Sequence, residues 1–139
     1  MKRNYRPNRD PIKNYFPLPN EIFSLGLDSS EISIYAYLLR CENRKTFQCH
    51  PSYKTIGRAV SLSENTVRKY VSSLEEKGLI LTEPTTVTTR NGRVRNGNLL
   101  YTICPIDEVV ERSQQRQLAL AQEDVARQRA QAKLAVWDG

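Results

Sequence analysis

PSYKTIGRAVSLSENTVRKYVSSLEEKGLI, residues 51–80, is the stretch whose reading decides the fold. Ser52 stands at a helix N-cap position, and Tyr53, Ile56 and Val60 follow at helical spacing, which predicts a short helix through about Val60 with these three inward. The tripeptide Ser61-Leu62-Ser63 separates it from a second helix, Glu64 to Lys77. Ser63 offers a side-chain oxygen to the unpaired amides at that helix start. Val67, Tyr70, Val71 and Leu74 fall at i, i+3, i+4 and i+7, the stripe expected to pack on Ile56 and the upstream chain. Gly78 then occupies the position where a helix ends in a left-handed residue.

The opposite face of the second helix displays Glu64, Asn65, Arg68, Lys69 and Ser72, with Thr66 at its border. It is polar, partly basic and built of short or linear side chains. A B-DNA major groove, about 12 Å wide, accepts one α-helix; Asn can bond adenine at two points and Arg can do the same with guanine. Asn65 and Arg68 are therefore the expected base readers, and Ser63, Thr66, Lys69 and Tyr53 the expected phosphate contacts. Ser52 and Lys54, with Tyr53 on the helix before the turn, are further expected DNA contacts.

Beyond Gly78 the period changes to that of strands. LILTEPTTVTT (79–89) is apolar and β-branched, RNGR (90–93) is a two-residue hairpin signal, and NLLYTI (98–103) reads as a returning strand. Pro84 restricts the first strand to an edge or a bend, and Asn96-Gly97 marks a second turn or a bulge. The tip carries Arg90, Asn91, Arg93 and Arg95 with no acid among them. A hairpin over 86–98 beside the second helix would rest those arginines on flanking phosphates or in a minor groove.

Upstream, Pro19-Asn20 can open a short helix with Ile22, Phe23 and Leu25 inward and Gly26 ending it. Asp28-Ser29-Ser30-Glu31 matches a capping box, followed by a helix with Ile32, Tyr35, Ala36, Leu38 and Leu39 near one face. Residues 43–51 read as a polar connection anchored by Phe47. Residues 1–15, rich in Pro, Arg, Lys and Asn, read as a flexible basic arm. The domain expected to carry function spans 16–104.

Pro105 opens a long helical stretch to Trp137, rich in Ala, Gln, Arg and Glu. Its best apolar seam runs through Glu111, Leu118, Val125 and Ala132, with Ala121 and Ala135 between, and is not a strong heptad repeat. This helix is the candidate contact for a homodimer.

Charge agrees with this division. The net charge is +6, and residues 1–104 hold 16 basic against 9 acidic side chains, while 105–139 hold 5 against 6. A concentrated positive field favours polyanions. Cys41, Cys49 and Cys104 are odd in number and widely spaced, so neither a disulfide framework nor a cysteine-rich zinc site is expected. Cys49 beside His50 supplies at most half of a tetrahedral site, and no metal or cofactor is expected. No phosphate loop, paired acids or nucleophile–base set is present, so the chain is expected to be no enzyme; with no secretory signal or long apolar run it is expected in the cytoplasm, at the nucleoid.

Ser52 to Val67 satisfies the pattern S-x-x-x-[IL]-[AG]-x-x-x-[GS]-[VL]-S-x-x-T-[VI], continued by Leu74, by Lys77 to Ile80 and by a strand from Leu99 to Ile103. In these residues the chain resembles the winged helix-turn-helix domains of bacterial regulators, in particular small proteins of plasmids, phages and conjugative elements of Gram-positive bacteria. The resemblance covers about 16–104 and implies a mainly α fold with a small β-hairpin wing, here followed by a long C-terminal helix. It implies a partner in double-stranded DNA, with the helix 64–77 in the major groove. As to role, it implies a transcriptional regulator, or alternatively a replication initiator or accessory protein of such an element.

Overall fold

The computed structural model describes residues 14–137; all but the last two residues of the basic arm lie outside them. A short 3-10 helix, Asn20–Ser24, leads into α1 (Ser29–Cys41). A two-residue strand, β1 (Gln48–Cys49), precedes α2 (Tyr53–Val60) and α3 (Glu64–Glu76). Then come β2 (Ile80–Glu83), β3 (Thr86–Thr88), β4 (Val94–Asn96) and β5 (Leu100–Ile103), and last α4 (Ile106–Trp137). Three helices, two small antiparallel sheets and a long C-terminal helix make a winged helix-turn-helix fold.

Local chemistry sets the helix starts. Asp28 caps α1 as a full capping box: its carboxylate accepts from the Glu31 amide at 2.8 Å, and Glu31 Oε1 accepts from the Asp28 amide at 3.3 Å. Ser52 and Ser63 cap α2 and α3, accepting from the Thr55 and Thr66 amides at 3.0 and 3.2 Å. Each is worth about 1 kcal/mol against Ala. Helix α3 ends one residue earlier than the sequence implied, with Lys77 as its C-cap.

The core joins the helices to the sheet. Ile34, Tyr35 and Leu38 of α1, Ile56 of α2, and Val67, Val71 and Leu74 of α3 are buried with Leu79, Ile80, Tyr101 and Ile103. Ile22 and Val109 close it at its two ends. Tyr53, Val60 and Tyr70, expected inward, are half-buried at its margin.

Several expectations are corrected. Phe23 is 72% exposed, because one 3-10 turn points only Ile22 inward. Phe47 is 56% exposed and has φ of 58°; it serves through its backbone, whose carbonyl accepts from the Ile103 amide at 3.0 Å. The connection it was expected to anchor contains β1, which pairs with β5. On α1, Ile34 rather than Ile32 is fully buried, and Glu31 is buried too.

The segment after α3 forms two ladders, not one continuous hairpin. β5 lies between β1 and β2, while β3 pairs only with β4. The breaks fall at Pro84, which lacks an amide, and at Gly97 to Leu99. There the Gly97 amide donates to the Thr85 carbonyl at 2.8 Å, and the Thr85 hydroxyl donates to the Asn98 carbonyl. The hairpin tip is a three-residue loop, Arg90-Asn91-Gly92, closed by the Thr89 amide on the Arg93 carbonyl at 2.8 Å. Gly92, at φ of 73°, is the left-handed residue that such a loop requires, so the two-residue reading is corrected.

Candidate nucleic-acid interface

The interface begins with the turn between α2 and α3. Ser61 takes a left-handed conformation, φ 59° and ψ 44°, and the Leu62 amide donates to the Gly57 carbonyl at 2.9 Å. A Cβ at residue 57 would collide with the Leu62 carbonyl oxygen, so only glycine lets the turn fold this tightly onto α2. The turn fixes α3 against α2, and Val67, Val71 and Leu74 seat it on the core.

That seating decides what faces outward. Asn65, Arg68, Lys69 and Ser72 recur at i, i+3, i+4 and i+7 and all are exposed, with Ser63 and Glu64 at the helix start. Thr66, at the border, is half-buried. Its hydroxyl lies 2.8 Å from that of Ser63, and the Ser52 and Thr55 hydroxyls stand at 2.8 Å in the same relation on α2. The two helix starts thus carry matching Ser-x-x-Thr caps whose hydroxyls keep acceptor capacity. Lys54 is exposed, Ser52 and Tyr53 half-buried.

Arg68 and Tyr53 are brought together. The guanidinium lies 5.5 Å from the Tyr53 ring centroid, a cation–π contact that holds the arginine across the α2–α3 junction. Lys69 stands 5.4 Å from the ring of its neighbour Tyr70. Glu64 is the acid of the first turn of α3, where the positive end of the helix dipole favours it.

The wing presents Arg90, Asn91, Arg93 and Arg95, all exposed, on the loop and on β4. Thr89 steadies the loop through its hydroxyl on the Arg93 carbonyl at 3.2 Å. At the base, Asn98 Nδ2 donates to the His50 carbonyl at 3.2 Å, joining the returning chain to the segment ahead of α2.

Two supporting groups were not evident from sequence. Glu31 Oε1 accepts from Lys77 Nζ at 2.8 Å and Oε2 from the Ser73 hydroxyl at 3.0 Å, so a buried carboxylate on α1 holds the end of α3. Glu75 Oε1 accepts both the amide and the hydroxyl of Thr82, at 3.1 and 2.9 Å, tying α3 to β2. The capping-box pattern flagged Glu31, but only as a local cap. Cys49 is a core residue whose thiol donates to the Leu38 carbonyl at 3.6 Å, and burial pushes its pKa up to about 12. Such a thiol stays protonated and packs as a small apolar group.

Residues 25–80, which take in α1, α2 and α3, match the model of a helix-turn-helix domain family. No curated protein matches the chain. Among solved structures, a possible transcriptional regulator from Methanosarcina mazei Go1 is similar at 15% identity and a TM-score of 0.49, over 74% of this chain and 80% of that one. No helix among the described residues is long and apolar enough to cross a membrane.

Proposed function

We propose that this chain is a sequence-specific double-stranded DNA-binding protein that sets α3 in the major groove and acts by occupying its site, as a transcriptional regulator does. One observation carries the reading: the exposed stripe Asn65, Arg68, Lys69 and Ser72 lies on a helix whose other side, Val67, Val71 and Leu74, is locked in the core. Groups held from behind keep one geometry, and a fixed set of donors and acceptors is what base recognition requires. Asn65 and Arg68 read base edges. Ser63, Thr66, Lys69, Ser52, Tyr53 and Lys54 hold phosphates, and Glu64 accepts from a cytosine amine or excludes other bases.

The wing adds affinity rather than specificity. Arg90, Arg93 and Arg95, with Asn91, lie over the adjacent backbone or minor groove, so base sequence under the wing matters through groove width. The protein works in the cytoplasm, at the nucleoid, and a homodimer sets two α3 helices on one duplex about 34 Å apart.

Selection of bound duplexes from a random pool, with titrations at two salt concentrations, tests this. Recovery of one short motif with a salt-sensitive affinity supports the proposal. Salt-insensitive signals, or no enrichment, overturn it. Footprints then define the role: occupancy of a promoter marks a regulator, and occupancy of repeats at an origin marks a replication initiator.

A further inference from the structure

From Gln114 to Val136 every residue of α4 is exposed. Leu118 and Val125 are 60 and 47% exposed on one side, and Leu120, Leu134 and Val136 are 61, 64 and 80% exposed, although taking such side chains out of water is stabilising. Most helices in proteins draw their stability from packing an apolar face on a neighbour, and this segment, about 35 Å long at the usual rise, has none among the described residues. DNA does not fit this surface: α4 holds five basic and five acidic side chains, whereas residues 1–104 hold 16 against 9.

The charge pattern along the seam says what does fit. Leu118, Val125 and Ala132 occupy one core position of a heptad, and Ala121, Gln128 and Ala135 the other. Asp124 and Arg129 then fall at the two flanking positions, five residues apart. In a parallel, in-register pair these positions meet across the interface, so Asp124 of each chain faces Arg129 of the partner subunit, twice by symmetry. The other flanking pairs, Gln117 with Gln122 and Gln131 with Val136, bring no like charges together. An antiparallel pair would set Asp124 against Gln131 and Arg129 against Gln122, and lose both ion pairs. Neither Asp124 nor Arg129 is in a salt bridge among the described residues.

The seam is also free of the body. Val109, the last buried residue of α4, lies nearly opposite Leu118 and Val125 on the helix, and the half-buried Ile106 more than a quarter turn from both, at 3.6 residues per turn; the half-buried Val110 stands at the edge between the two sides. One side docks on the core while the other stays open.

We propose that residues 114–136 pair with the same segment of a second copy as a parallel, in-register two-stranded coiled coil. Small alanines bring the helices close, and Gln128 meets Gln128 of the partner subunit, an amide pair that is satisfied only in register. The proposal rests on the homodimer of the proposed function and gives it a surface, a direction and a register; its test is independent of DNA binding, because the mass of the chain is measured with no DNA present.

Sedimentation equilibrium of the full chain tests it. The expected result is a reversible dimer, with D124R or R129D alone raising its dissociation constant about tenfold or more and the double variant D124R/R129D restoring it. Q128C should cross-link to itself under mild oxidation, mapped by peptide mass to distinguish it from the native cysteines. A monomer at every concentration overturns the proposal, and so does a dimer indifferent to the charge reversals. A dimer whose Q128C chains do not link overturns the parallel register.

Discussion

Helices α3 and α4 are opposite solutions to the same problem of holding a helix in water. α3 is 13 residues long and buries three side chains completely or nearly so; α4 is 32 residues long and, beyond its first two turns, buries none. The short helix has its order from behind, through Val67, Val71 and Leu74, and from both ends, through the Ser63 cap and the Glu31–Lys77 pair. The long helix has intrinsic propensity alone. A helix seated in this way offers a rigid outer face suited to recognition. A helix left bare is ordered by what it later meets.

The comparison breaks first if α3 does not depend on its seat. Val71→Asp should unfold the body, because an unpaired carboxylate would enter a closed core at a cost of several kcal/mol. A native-like cooperative melt would refute the seating. Next in size, Glu31→Ala should lower the unfolding free energy by about 1–3 kcal/mol, since Lys77, Ser73 and the α1 cap lose their shared acceptor. Chemical denaturation measures this, and a neutral variant would mean that α1 does not hold the end of α3.

On the outer face the expected loss moves from folding to binding. Arg68→Ala should leave the melting temperature near that of the parent and weaken specific binding by about 1–3 kcal/mol, with preference relaxed at one base position. Equal loss on every sequence would make Arg68 a phosphate contact. Removing Arg90, Arg93 and Arg95 together should keep base preference and flatten the dependence of log affinity on log salt, by about 0.9 for each phosphate released. An unaltered slope would detach the wing from the interface. Smallest of all, ending the chain after Ser113 should leave the melting of the body unchanged at concentrations below dimer formation, because no core residue lies beyond Val109. A large loss would show that the bare helix supports the body after all.

What was legible in the sequence was local. The caps at Asp28, Ser52 and Ser63, the stop at Gly78 and the inward stripe of α3 depend on residues within one or two turns of each other, and they stand as read except that Tyr70 sits half-buried at the edge of the stripe. The exposed set on α3 followed from that stripe. What escaped depends on distant partners. Glu31 is buried because Lys77, 46 residues on, reaches it, and no spacing rule links the two. Phe47 and Phe23 are large and apolar, yet the backbone around them turns their rings outward. Strand β1, two residues long, exists only because β5 passes beside it. The breaks of the wing were foreseeable, as a bend at Pro84 and as a turn or bulge at Asn96-Gly97, whereas the bonds that Thr85 makes across the gap were not.

The tight turn at Gly57 has a consequence for how such a protein changes over generations. The atoms that set the pose of α3 lie beneath it, and none of them belongs to Asn65, Arg68 or Ser72. On the proposed reading, exchanges at those three positions re-address the protein to a new operator without disturbing its scaffold, while any side chain at 57 spoils every address at once. Innovation and constraint are thereby assigned to different sides of one helix pair.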